Sequence, residues 1–173
     1  MVNWGYPSLL KDVPQHAERF CGLLRDLDED NCTRQLFVVA HSMGNILTRA
    51  ALQVESFAKL RRIVMLCPPN RGSHIASLYA PFFGWLSQPL RDISDRPHSF
   101  VNRLPLELNG DYEVGIIRAS TDFVVRDTST VLPAAKAYMR MPGLHSSILF
   151  REETAREVDR FLQSGQFNSP LSQ

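Results

Sequence analysis

Residues 36–52 read Leu-Phe-Val-Val-Ala-His-Ser-Met-Gly-Asn-Ile-Leu-Thr-Arg-Ala-Ala-Leu. The apolar run from Gln35 to Ala40 has strand length and no alternation, which predicts a strand covered on both faces, as in parallel sheets. Gly44 to about Phe57 predicts a helix. Ile46, Leu47, Ala50, Ala51 and Val54 cover much of its circumference, so it is expected to be largely buried. Only His41-Ser42-Met43 separates the two. A turn this tight forces the serine backbone into strain and lifts its hydroxyl clear of the sheet. The side chains two residues before and after must then be small, and Ala40 and Gly44 are. The hydroxyl would also sit at a helix N-terminus, where free N–H groups and the dipole favour negative charge.

Upstream, Val13 to Leu27 predicts a helix, with Pro14 suited to its first turn. Ala17, Phe20, Cys21, Leu24 and Leu27 form one apolar stripe. Val2 to Gly5 reads as a short strand that pairs beside the 35–40 strand, and Asp28 to Asn31 as a solvated turn. Downstream, Arg62–Cys67 and Glu113–Ala119 are further runs of the buried-strand type. The first is stopped by Pro68-Pro69. Ala137–Met141 is a weaker strand, stopped by Pro142-Gly143. Thr154–Gln163 is an amphipathic helix with Gly165 as its stop. Strands alternating with helices predict an α/β chain with a mainly parallel sheet of about five strands, flanked by helices. Residues 1–173 read as one domain, interrupted by a Pro-rich, aromatic insert at about 70–110.

The bulk numbers exclude several classes. Nineteen basic and eighteen acidic residues leave a net charge of +1 across 173 residues. The charges are interspersed, which argues against nucleic acid or an anionic membrane as partner. Three cysteines without regular spacing fit neither a disulfide framework nor a zinc site. Cys21 and Cys67 are expected to be core thiols. No signal-peptide pattern and no apolar stretch of membrane length is visible, so a cytoplasmic chain without a transmembrane segment is expected.

A serine needs a base to become a nucleophile. Of the five histidines, His16 is expected at the surface of the first helix. His41 lies within the turn and cannot fold back on Ser42, so it is expected to pack or hydrogen-bond below it. His74 and His98 fall in the irregular insert. His145 follows the 137–141 strand and its Pro-Gly turn, in a loop at the C-terminal edge of the sheet, where ligands gather in such folds. It is the expected base. The acid that orients it is expected at the same edge. Asp122 immediately follows the 113–119 strand; Asp127, five residues on, is the rival and has a capping or turn role as its alternative. The chain order is then Ser42, Asp122, His145.

Together these pieces resemble the α/β-hydrolase superfamily, most of all its small bacterial lipase- or esterase-like members. The resemblance is carried by Asn3-Trp4-Gly5-Tyr6-Pro7-Ser8, the turn Ala40–Asn45, Pro68-Pro69-Asn70-Arg71-Gly72-Ser73, Asp122, and Gly143-Leu144-His145-Ser146. It implies Ser42 as nucleophile, His145 as general base and acid, Asp122 as orienter and the Met43 N–H as one oxyanion donor. The implied substrate is a small-molecule ester or a lipid, and the chemistry requires no metal or organic cofactor. Such proteins commonly take the second oxyanion donor from a loop near a His-Gly after an earlier strand. No such segment precedes Val2 here, so an N-terminally shortened chain, or a different donor, is expected. A hydrolase-fold remnant that binds without turnover, or another acyl transfer or thioester cleavage on the same fold, are the rival readings. Finally, the apolar stretch Ile75–Leu86 reads as a cap over an acyl site, with Phe82, Phe83 and Trp85 as substrate contacts; plain core packing is the alternative.

Overall fold

The computed structural model describes residues 1–6, 12–76 and 91–168. In chain order the main elements are α1 (Val13–Glu29), β1 (Leu36–His41), α2 (Met43–Val54), β2 (Leu60–Leu66), a short α3 (Phe100–Arg103), β3 (Glu113–Ala119), β4 (Ala135–Met141) and α4 (Glu152–Ser164). The four strands form one all-parallel sheet in the order β1-β2-β3-β4. All strand C-termini therefore share one edge, and the loops leaving β1, β3 and β4 are neighbours there.

Local chemistry sets the elements. The Asp12 carboxylate caps α1 by accepting from the Gln15 amide at 2.9 Å. Gly165, at φ 73°, ends α4 in the left-handed region. The two faces of the sheet follow the alternation of each strand. Val38, Ile63, Met65, Val114 and Ile116 pack with Cys21 and Leu24 of α1 and with Ala51 and Leu52 of α2. Val64, Leu66 and Ile117 pack on the other face with Phe161 of α4. Gly115 is what lets α4 come this close. A Cβ there would lie 2.8 Å from both Phe161 and Phe167.

Four expectations are corrected. The sheet has four strands among the described residues, because Val2–Gly5 forms no strand. Trp4 instead stacks on Phe20 and Tyr6, at ring-centroid distances of 5.0 and 5.1 Å, so side-chain packing on α1 replaces backbone pairing. β1 is consequently an edge strand, and it is not covered on both faces. Phe37 and Val39 are 40% and 47% exposed, because the α4 layer packs over β2, β3 and β4. His16 is not at the surface; it is fully buried, with its ring 4.9 Å from that of Tyr6. Asp28 also does more than end a solvated turn. It accepts from the amides of Ala58 and Lys59, at 3.1 and 2.7 Å, and so ties α1 to the start of β2.

Among the described residues Arg49 is one of the largest fully buried side chains. It donates to the carbonyls of Asn70, Leu104 and Pro105 at 2.9, 3.1 and 2.9 Å, tying α2 to the segments after β2 and α3. Burial pulls its pKa down to about 10, so it stays a cation at neutral pH. Arg49→Ala strands three carbonyls and opens a cavity. It is expected to cost about 3 kcal/mol of stability, read as a lowered urea midpoint.

Candidate active site

β1 runs straight into the turn. The Ser42 amide still donates to Leu66 O at 3.0 Å, extending the ladder by one bond. Ser42 then adopts φ 51°, ψ −121°, and α2 begins at the next residue. A non-glycine residue at positive φ is strained and persists only where its surroundings over-determine it. Here the surroundings do so. Asn45, fully buried, donates through Nδ2 to Ser42 O and to Leu66 O, both at 3.0 Å. Gly44 leaves room on the inside, since a Cβ there would stand 3.7 Å from the Ala40 methyl. One methyl at position 40 is thus accommodated. As the first residue of α2, Met43 has no carbonyl within the helix for its N–H.

The neighbouring loops bring the other two residues to this turn. His145 Nε2 lies 2.9 Å from Ser42 Oγ, and its Nδ1 lies 2.7 Å from Asp122 Oδ2. The second Asp122 oxygen accepts from the amides of Val124 and Val125, at 2.8 and 2.9 Å. Burial pushes the Asp122 carboxyl up. The hydrogen bond from His145 and those two amides outweigh it and hold the pKa below the ordinary value. The loops after β3 and β4 are bonded directly. Ser120 N donates to Met141 O, Thr121 N to Gly143 O, and Gly143 N to Ser120 Oγ. Gly143 takes φ 139°, a region that L side chains avoid, to make that turn.

The structure therefore brings Ser42, Asp122 and His145 into one hydrogen-bonded chain, with the Met43 amide beside them. An array of this kind can pull a proton from the hydroxyl while the carboxylate holds the imidazole. Asp127 is elsewhere. It lies 3.5 Å from Arg140 and 3.9 Å from Arg118. His74 meets Arg126 and Asp95. Phe82, Phe83 and Trp85 lie outside the described residues.

Sequence reasoning missed one support, Asn45, and for His41 it foresaw packing or hydrogen bonding below the turn without its partner. Asn45 reads as an ordinary polar helix position, and nothing local announces its bridging amide. His41 bonds through Nε2 to the His145 carbonyl at 2.9 Å, across 104 residues, and its ring lies 4.8 Å from the His145 ring. Cys67 also comes into the neighbourhood. It is fully buried, at φ 45°, with desolvation pushing its pKa up to about 12 and the negative charge of Asp122 acting in the same direction. Among the described residues, His41, Cys67 and His145 are a group whose donor atoms all fall within 4.8 Å of one another.

No family model and no curated relative matches the sequence. Solved structures do match in shape. A Legionella pneumophila phospholipase, solved in complex with thio-NAD, aligns at a TM-score of 0.59 and 18% identity, over 76% of this chain and 35% of its own. The mature form of a Bacillus licheniformis lipase aligns at 0.65 and 14% identity, over 91% of this chain and 75% of its own. Its propeptide form aligns at 0.71 and 15%, over 97% of this chain and 43% of its own. The likeness shows the fold: this chain has the α/β-hydrolase type of fold found in lipases and esterases. It spans about a third of the length of the phospholipase. Among the described residues no helix is long and apolar enough to cross a membrane.

Proposed function

We propose that the chain is a serine hydrolase of carboxylic esters, lipase- or esterase-like, working through Ser42, His145 and Asp122. The observation that carries this reading is the continuous hydrogen-bonded path from Ser42 Oγ through the His145 ring to Asp122. In the proposed reaction Ser42 Oγ attacks the ester carbonyl as His145 Nε2 takes its proton. The Met43 N–H stabilises the oxyanion. Collapse expels the alcohol, which receives the proton from His145, and leaves an acyl-serine. Water, deprotonated by the same imidazole, then releases the acid.

The substrate is an ester with an apolar acyl group. Two side chains support this. Phe123, next to Asp122, and Leu144, next to His145, are 74% and 51% exposed. They stand on the two loops that carry the proposed acid and base, where an acyl chain would lie. The neighbours in shape, a phospholipase and a lipase, agree with this chemistry.

A fluorophosphonate probe and a panel of p-nitrophenyl esters of rising chain length test the reading. The expected outcome is one covalent label, on the peptide containing Ser42, with ester turnover that rises beyond acetate. Folded protein that neither labels nor turns over any ester would defeat it.

A further inference from the structure

We propose that His41, Cys67 and His145 form a binding site for one thiophilic divalent cation, and that filling it switches off Ser42. The switching half rests on the hydrolase reading above; the binding half does not. The donor set is two imidazoles and one thiol, the mixture that suits zinc and its softer relatives and is poorly matched to magnesium or calcium. Their donor atoms already lie within 4.8 Å of one another. A tetrahedral zinc ion with such ligands needs neighbouring donors roughly 3.3–3.8 Å apart. Side-chain rotations that draw them in by about an ångström complete the site.

Two further observations point the same way. Cys67 holds φ 45°, a conformation that is strained for an L residue and nearly free for glycine. Backbone geometry alone therefore favours glycine at this position, yet a thiol is present and stands beside the imidazoles. In addition, the Asp122 carboxylate borders the site, hydrogen-bonded to His145 at 2.7 Å. Its charge attracts a cation, and a water can fill the fourth position. On binding, the sulfur exchanges its proton for the ion and the proton leaves to solvent. His145 gives up one of its two hydrogen bonds to coordinate. An imidazole so held can no longer carry a proton between Ser42 and a leaving group.

Cadmium alone is a suitable probe, because a thiolate ligand gives it an ultraviolet charge-transfer band. The test uses the full chain with the exposed Cys32 replaced as Cys32→Ser. The expected result is one Cd²⁺ per chain by equilibrium dialysis, the thiolate band, and fluorophosphonate labelling of Ser42 slowed at least about tenfold and restored by a chelator. Mg²⁺ should leave both readouts unmoved. Cys67→Ala should abolish the band. His41→Gln, which keeps the thiol, should weaken Cd²⁺ binding by more than the roughly 10–100-fold cost of losing an outer-shell partner. Each variant is compared with its own metal-free rate. A band that persists in Cys67→Ala, or no band in the parent protein, overturns the site. A band with unslowed labelling overturns the switch. Failure of Ser42 to label without metal sinks the hydrolase reading instead, and the band and stoichiometry still decide the site.

Discussion

Ser42→Ala is expected to lower kcat on a p-nitrophenyl ester by about 10⁶-fold and leave the protein folded. In a serine–histidine–carboxylate array the three groups act as a unit, and loss of the nucleophile alone removes nearly all of what the unit contributes. A residue of roughly 10³–10⁴-fold over water, from the oxyanion donor and substrate binding, is expected to survive. The fold should tolerate the change. Alanine meets the same steric demand as serine at φ 51°, ψ −121°, and the Asn45 and Leu66 bonds that hold the turn use main-chain atoms of residue 42. Stability is expected to stay within about 1 kcal/mol, because one side-chain hydrogen bond to His145 is lost. Steady-state kinetics with active-site titration, beside a urea melt, checks both halves. A variant that keeps a tenth of the activity would show that Ser42 is not the attacking group.

The part of the site visible in the sequence is the part built from local order. In an all-parallel sheet every strand delivers its next loop to the same edge. Locating the strands that end at His41, Ala119 and Met141 therefore locates Ser42, Asp122 and His145 without any knowledge of contacts. The turn itself is local too, since strand, small residue, serine, small residue and helix are consecutive. What stayed hidden depends on which surfaces meet. Phe37 and Val39 look like Val64 in the sequence, and only the landing site of α4 decides that the first two are exposed and the third is buried. His16 lies beside an apolar stripe like any flanking residue; the ring of Tyr6 makes it core. Val2–Gly5 has strand-like content, yet its aromatic neighbours find better partners in side chains than in a ladder. His41 and Cys67 are separated from His145 by 104 and 78 positions, the latter being 145 minus 67. No periodicity reports contacts of that range.

Asp122→Asn is expected to lower kcat by about 10⁴-fold, and the reason can be read from the hydrogen bonds around the carboxylate. Val124 and Val125 donate their amides to Oδ1. An asparagine must keep its carbonyl oxygen there, because its NH₂ cannot accept. The NH₂ is thereby aimed at His145 Nδ1, where the carboxylate oxygen had accepted at 2.7 Å. The imidazole must then accept at Nδ1 and carry its proton on Nε2, facing Ser42 Oγ. In that tautomer it cannot take the serine proton, although every heavy atom keeps its place. Acid stability should change with it. The folded pKa of Asp122 lies below its ordinary value of 3.8. Its contribution to stability is therefore complete above that value and is lost as pH falls from there through the folded pKa. Asparagine has no proton to gain, so the gap between wild-type and variant urea midpoints should be constant near neutrality and narrow below about pH 4. An Asn variant within tenfold of wild-type kcat, or an Asp127→Asn variant with the larger loss, would move the acid's role away from Asp122.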